Sequence, residues 1–194
     1  MSQNDDARLL KEAVDGNESA FLELYRLHHP SVFRFAVHMC GSASAAEDIA
    51  QEVFVFLIET PRSFDPARGS LAAFLLGIAR NLSLRHLRKE SEIKELPDSP
   101  LSLQSPLSDL LRGERLTRMR KAILSLPPAY REVILLCELS ELSYEEAASV
   151  LGCAVGTVRS RLHRARNLLL RKLGLPAPAE KPEQGGTEYG LPVF

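Results

Sequence analysis

The nineteen residues from Val155 to Leu173, VGTVRSRLHRARNLLLRKL, carry six basic side chains and no acidic one. Coiled as a helix, they set Val158, Leu162, Ala165 and Leu169 at i, i+4, i+7 and i+11, a single apolar stripe, and turn Ser160, His163, Arg164 and Asn167 the opposite way. A segment built like this docks by one face and offers the other to a polyanion. It constrains the rest of the chain to supply an apolar neighbour for the stripe.

The residues just before it supply one. Leu142-Ser143-Tyr144-Glu145-Glu146 contains a capping box, in which Ser143 accepts from the backbone N–H of Glu146 and the Glu146 side chain reaches back. A short helix therefore starts at Tyr144, takes a small apolar face from Ala147, Ala148, Val150 and Leu151, and ends at Gly152, which tolerates the positive φ of a helix end. Two helices separated by Gly152-Cys153-Ala154 read as a helix-turn-helix. In that motif the second helix enters the major groove, its N-terminal half on base edges and its flanking arginines on phosphates. The same residues also fit a basic helical hairpin with a merely solvated face.

Every other apolar segment has helical period, and no two-residue hairpin signal occurs, so the fold class is all-α. Leu9, Leu10, Ala13 and Val14, then Phe21, Leu22, Leu24, Tyr25 and Leu27, give two helices or one interrupted at Gly16-Asn17. Pro30 is expected to end that stretch, with a further helix over Val32, Phe33, Phe35, Ala36, Val37 and Met39 up to Gly41. Ser44-Ala45-Ala46-Glu47 reads as a second capping box, starting a helix that runs to Glu59 before Pro61. Thr60 to Ser70 is a loop whose Arg62, Phe64 and Arg68 suit nucleic acid, or equally an ordinary surface connection. Leu71, Phe74, Leu75, Ile78, Leu82 and Leu87 mark the next helix. Its end, Arg80 to Lys94, holds five basic residues against two acidic ones, a second basic surface or a solvated helix end favoured by the dipole.

From Leu96 to Leu107 prolines and serines replace the periodic pattern, as in a linker between domains. Periodicity returns near Leu110 through Leu116, Met119, Ile123 and Leu126, and restarts after Pro127-Pro128 with Val133, Ile134, Leu136 and Leu139. Beyond Leu175 the composition is that of a disordered tail.

Composition narrows the function. With 194 residues, 45% of them hydrophobic, the chain has room for one large or two small packed domains. Its 24 basic and 25 acidic residues leave a net charge of -1, too little for coating DNA unaided, so a partner is expected to deliver it. No apolar N-terminal leader follows Met1, and the longest apolar run, Leu71 to Ala79, falls short of the roughly 20 residues of a spanning helix, which points to the cytoplasm. Cys40, Cys137 and Cys153 are far apart among small or apolar residues and read as buried thiols. The five histidines lack ligand spacing, so neither metal nor cofactor is expected, and no GxSxG, P-loop or HExxH motif points to an enzyme.

Four ordered segments now spell a family. Asp48-Ile49-Ala50-Gln51-Glu52-Val53-Phe54, then Phe74 to Leu82 (FLLGIARNL), then Leu126-Pro127 to Glu132-Val133, and finally Tyr144-Glu145-Glu146-Ala147-Ala148 through Val155 to Leu162 resemble the bacterial sigma factors of the extracytoplasmic-function group within the sigma-70 family. The resemblance covers roughly Ala13 to Leu173. It implies a sigma region 2 domain over residues 1–94, a linker at 95–109, a region 4 domain over 110–175 and a tail at 176–194. It also implies a protein without catalytic activity that binds core RNA polymerase, directs it to promoters with minus-35 and minus-10 elements, and promotes melting.

The resemblance assigns residues as well. Asp48, Gln51, Glu52 and Val55, on one face of the capped helix, match the face that docks on core polymerase, while Phe54 and Leu57 turn into the core. Arg62, Ser63 and Phe64 lie in the loop that captures a base flipped from the minus-10 element, and Arg80, Asn81 and Arg88 on the helix that helps open the duplex. Arg159, Ser160, His163 and Arg164 fall at minus-35 base-facing positions, with Arg164 the foremost candidate for a bidentate contact to guanine, and Thr157, Arg161 and Arg166 flank them as phosphate contacts. The chain departs from the family pattern at Arg85, where an aspartate is frequent, and in its longer tail. An anti-sigma factor, often membrane-bound in this family, is an expected partner. A free-standing helix-turn-helix regulator is the competing class, but it would generally need a dimer to span two half-sites, and no sustained heptad is present. A module without DNA contact leaves the six basic residues unused.

Overall fold

The computed structural model describes residues 3–93 and 110–176, and the proline- and serine-rich stretch at 95–109 and the segment from 177 onward lie outside the described residues. No strand occurs among the described residues, so the all-α expectation holds. Among the described residues eight α-helices form two groups. The first holds α1 (Gln3–Val14), α2 (Glu18–Cys40), α3 (Ala43–Glu59) and α4 (Leu71–Ile93). The second holds α5 (Leu110–Leu124), α6 (Pro128–Ile134), α7 (Tyr144–Leu151) and α8 (Val155–Leu173).

In the first group α2 is the hub, packing against α1, α3 and α4. Asn17 starts it, its side-chain oxygen accepting from Ser19 N and Ala20 N at 3.1 and 3.2 Å. Gly41 ends it in the left-handed region at φ 78°. The fully buried side chains of Leu24, Phe35, Met39, Leu57, Leu71, Leu75 and Leu76 fill the space between the helices. A buried His28–Asp6 contact, 3.2 Å from Nε2 to Oδ1, fastens α1 to α2.

Two boundaries differ from those read in the sequence. Pro30 does not end a helix but sits inside α2, because Leu24 and His28 before it and Val32, Phe35, Ala36 and Met39 after it are buried on one continuous face. The larger apolar side chains among them, Leu24, Val32, Phe35 and Met39, contribute about 1.5–3 kcal/mol each on burial, which together outweighs the roughly 3 kcal/mol an interior proline costs. The cap of α3 is Ser42, not Ser44: Gly41 leaves Ser42 extended at φ -117°, and its hydroxyl accepts from Ala45 N at 3.2 Å. Ser44 is then already in the first turn, and Glu47 faces His29 at 4.0 Å instead of closing a box.

In the second group α8 packs on α5, α6 and α7, burying Val158, Leu162, Ala165 and Leu169, the stripe read from the sequence. Pro128 opens α6, and its last turn widens into a π-helical turn at Leu135–Leu139, closed by Ser140 N donating to Leu135 O at 2.9 Å. The capping box of α7 is formed in both directions, with Glu146 N donating to Ser143 Oγ at 3.1 Å and Ser143 N donating to Glu146 Oε2 at 3.0 Å. The buried apolar residues of the two groups make one continuous cluster, in which α2 meets α5 and α6, and α4 meets α7.

The turn between α7 and α8 rests on Gly152, at φ 64° and ψ 40°. A Cβ built there meets no atom within 4 Å, so a substitution carries only the conformational cost of the left-handed region. Gly152→Ala should therefore lower stability by about 1 kcal/mol, and Gly152→Asn by less, as a shift of the urea midpoint at unchanged m-value.

Candidate nucleic-acid interface

The outward side of α8 carries Arg159, Ser160, His163 and Arg164, all exposed. Exposure follows from the burial of the stripe, since these four residues lie on the part of the helical wheel turned away from it. Arg164 has no hydrogen bond or ion pair among the described residues, which leaves its whole guanidinium fork for a ligand. The Arg159 guanidinium lies 5.8 Å from the centroid of the Tyr144 ring, so the first residue of α7 gives the arginine a flat support. Asn167 Nδ2 stands 3.1 Å from His163 Nε2, a bond that needs the imidazole tautomer with an unprotonated Nε2. Ser160 turns its hydroxyl back to Thr157 O at 3.1 Å.

The flanking residues fare differently. Thr157 and Arg161 are half-buried beside the row. Arg166 points away from it and holds Glu138 of the π-helical turn in a two-pronged ion pair, its Nε 2.9 Å from Oε1, with the two side chains only 28% and 13% exposed. Its charge is spent inside the protein. At the far end, Gly174 closes α8 in the left-handed region and Arg118 of α5 donates to Leu173 O at 3.1 Å, a cation against the negative end of the helix.

In the first group the loop between α3 and α4 is shaped by two single 3-10 turns, Pro61–Ser63 and Pro66–Arg68. Ser63 Oγ donates to Thr60 O at 2.6 Å and Asp65 Oδ1 accepts from Ala67 N at 3.0 Å, so the loop has a defined course. Arg62 and Ser63 are exposed, whereas Phe64 is half-buried and packs on Phe74 with ring centroids 5.5 Å apart. A cavity of about 330 Å³ lies beside it, bounded by Phe64, Arg68, Phe74 and Asn81 and, from the second group, by Ser149 and Val150. Asn81 and Arg88 are exposed along α4. Arg80 is not: its Nε donates to Glu132 Oε2 at 2.7 Å, with 19% and 5% of the two side chains exposed.

On α3, Asp48, Gln51, Glu52 and Val55 are all exposed and share one face, Val55 at 54% being among the most open large apolar residues described. Arg85, the departure from the family pattern, reaches across from α4 to Glu52 at 2.5 Å. Phe54 and Leu57 are in the core, as expected.

Several partners of these residues were not legible in the sequence: Glu132 for Arg80, Glu138 for Arg166, Tyr144 for Arg159 and Glu52 for Arg85. Each pair is separated by a fold, not by a helical turn, and only Glu138 stood out locally, as an acid in an apolar run. The same holds for Ser70, which donates to Glu146 Oε1 at 2.5 Å. The Glu146 carboxyl would be raised by burial, but the bonds from Ser70 and Ser143 outweigh this and hold it below the usual glutamate range. Among the described residues no group of three His, Cys, Asp or Glu could hold a metal ion, and no helix is long and apolar enough to cross a membrane. The three cysteines are free thiols, Cys40 buried and the others half-buried, and burial pushes Cys137 up to about 11.

Residues 24–93 match the profile of sigma-70 region 2, and residues 116–169 that of sigma-70 region 4. The chain is 35% identical over 154 residues to the ECF RNA polymerase sigma factor SigE of Mycolicibacterium smegmatis, covering 76% of this chain and 59% of the length of that relative. It is 30% identical over 177 residues to the ECF RNA polymerase sigma factor SigW of Bacillus subtilis, covering 84% of this chain and 94% of that protein. Among solved structures it resembles the sigma factor RpoE from Bartonella quintana, seen with the anti-sigma factor NepR, at 31% identity and a TM-score of 0.66 over 79% of this chain and 96% of the other. It also resembles CnrH, seen with the cytosolic domain of CnrY, at 26% identity and a TM-score of 0.67 over 88% of this chain and 97% of the other.

The two arginines of α8 that differ in environment should separate in experiment. Arg166→Ala should lower stability by about 2 kcal/mol in urea unfolding, because it strands the Glu138 carboxylate, while Arg164→Ala should stay within about 0.5 kcal/mol of the wild type. For Glu146, whose folded pKa is depressed, the stabilisation is full above the ordinary value of 4.5 and is lost as pH falls through the lower folded value. The stability gap between the wild type and Glu146→Gln should accordingly narrow as unfolding is measured at successively lower pH below that value.

Proposed function

This chain belongs to the sigma-70 family of RNA polymerase sigma factors, in its extracytoplasmic-function group, and from that premise we propose how its residues divide the work of promoter recognition. The protein binds core RNA polymerase, directs it to specific promoters and promotes opening of the DNA for transcription initiation. The observation that carries the assignment of residues is the exposed row on α8, with Arg164 unpaired within it, set on a capped helix-turn-helix. Arg159, Ser160, His163 and Arg164 read the bases of a minus-35 element, with Arg164 free for the bidentate bond to guanine O6 and N7. Thr157 and Arg161 take neighbouring phosphates. Arg166 acts mainly through Glu138, as a residue that sets the pose of α8.

The first group of helices, residues 1–94, serves as the region 2 domain and the second, 110–175, as the region 4 domain, with 95–109 as their linker. Asp48, Gln51, Glu52 and Val55 meet core polymerase, a mixed acidic and apolar face suited to a partner surface with basic and apolar residues. Ser63 and Phe64 border a cavity of about 330 Å³, room enough for one extruded base of the minus-10 element, Arg62 stands exposed next to them in the chain, and Arg80, Asn81 and Arg88 lie along the adjoining duplex. An anti-sigma factor is the expected negative partner, since the sigma factor RpoE of Bartonella quintana, which this chain resembles, is seen in complex with the anti-sigma factor NepR. The protein works in the cytoplasm, where core polymerase is, and contributes no catalytic group of its own.

Transcription from a randomised promoter library by purified bacterial core polymerase, with and without this protein, tests the reading. Transcripts that depend on the protein should share two spaced upstream boxes. Arg164→Ala should relax the sequence of the upstream box alone, costing about 1–3 kcal/mol of discrimination at one base pair. Operator binding without polymerase, and no protein-dependent initiation, would favour a free-standing regulator instead.

A further inference from the structure

Two acidic residues of the proposed polymerase face differ in what surrounds them. Asp48 and Glu52 stand one turn apart on α3, and both are exposed. Asp48 has no ion pair among the described residues, whereas Glu52 Oε1 accepts from Arg85 Nη2 of α4 at 2.5 Å. A cleft of about 140 Å³ opens beside this pair, with Asp48 and Glu52 on its α3 wall and Arg85 and Lys89 on its α4 wall. One wall is acidic and the other basic, and a single bond crosses between them.

Stability does not account for that bond. The two side chains are 58% and 54% exposed, and an ion pair so open to water and salt adds little to folding. What it changes is the surface. The guanidinium offsets the charge of Glu52 and occupies the oxygen that a partner's cation would take.

We infer that Arg85 is an internal competitor for Glu52, one that holds the affinity for core RNA polymerase below the level the acidic face alone would reach. The group it competes with is a lysine or arginine of the polymerase, the chemistry that an exposed carboxylate on a helix selects. Docking is then an exchange. The polymerase cation takes Glu52, Arg85 turns into solvent, and the free energy of the internal bond is subtracted from that of binding. Asp48, with no such competitor, is available from the first encounter. The cleft leaves room for an incoming basic head group beside the pair without movement of either helix. This inference rests on the assignment of the α3 face to polymerase but fails separately from it.

The test uses the full-length protein, labelled with a fluorophore at its N-terminus, titrated with purified bacterial core polymerase and followed by anisotropy. Arg85→Ala should tighten binding about two- to fivefold at low salt, the range that loss of an exposed ion pair allows, and the gain should shrink as salt rises. Glu52→Gln should weaken binding, and Arg85→Ala should add nothing in that background, as a double-mutant cycle reads directly. Lys89→Ala removes an equal charge that makes no bond to Glu52, so its gain should be the smaller. All four positions tested or paired are on the surface, and matching circular dichroism spectra establish that each variant is folded. Unchanged or weaker binding by Arg85→Ala, with Glu52→Gln still impaired, overturns the competitor and leaves the polymerase face standing. A gain from Lys89→Ala as large as that from Arg85→Ala overturns it too, because charge alone would then be the cause. Full binding by Glu52→Gln overturns the assignment of Glu52 to polymerase, and the competitor with it.

Discussion

Two helix ends meet at one guanidinium. The last turns of α2 and α5 direct carbonyl groups into the space between the two halves of the protein, and Arg131 answers Met39 O, Leu124 O and Leu126 O together. Terminal carbonyls of helices have no partner of their own and carry the negative end of the dipole, so burying them requires a donor, and a cation serves best. Burial lowers the pKa of this arginine from its usual value, the signature of a charge kept out of water. With that one side chain in place, α6 can lie against α2, and everything that depends on α6 follows: the position of Glu132, the course of the π-helical turn and the bed on which α8 rests.

The seam between the two halves combines apolar continuity with polar contacts, and the two contribute in different ways. Apolar burial is undirected, so it favours association of the halves without fixing their register. The Arg80–Glu132 ion pair, the Ser70 bond and the Arg131 bonds fix that register, because each requires a particular donor opposite a particular acceptor. A half-buried ion pair is a modest source of net stability once desolvation is counted. Such contacts suit a joint that holds one geometry.

How much of this could be read from the sequence depended on the distance over which each signal acts. The stripe Val158, Leu162, Ala165 and Leu169, the Ser143–Glu146 box and the Gly152 turn were all legible, because caps and periodicity act within one or two turns. Pro30 and Ser44 misled for the opposite reason. The rules for prolines and caps are local, and they yielded to burial along the whole of α2 and to the glycine that ended it one residue before Ser42. The outward row of α8 followed from the helical wheel alone. The fate of Arg80 and Arg166 did not, since a lone arginine in a sequence reads as free charge until the fold sets a carboxylate beside it, here 52 and 28 residues away.

The π-helical turn at Leu135–Leu139 bears on how such a surface is tuned. A π turn holds one residue more than an α-helical turn between the same hydrogen-bonded ends, so everything beyond it is rotated by about 100° relative to an uninterrupted helix. Glu138, which meets Arg166, lies within this turn. Deleting a single residue within the turn would regularise the helix, swing the glutamate to another side and return one more uncompensated positive charge to the outer face of α8. The electrostatic strength of the reading surface is thus set by a hydrogen-bond register in a helix lying behind it, and a change of one residue in length there would retune affinity for a polyanion without altering any side chain on α8.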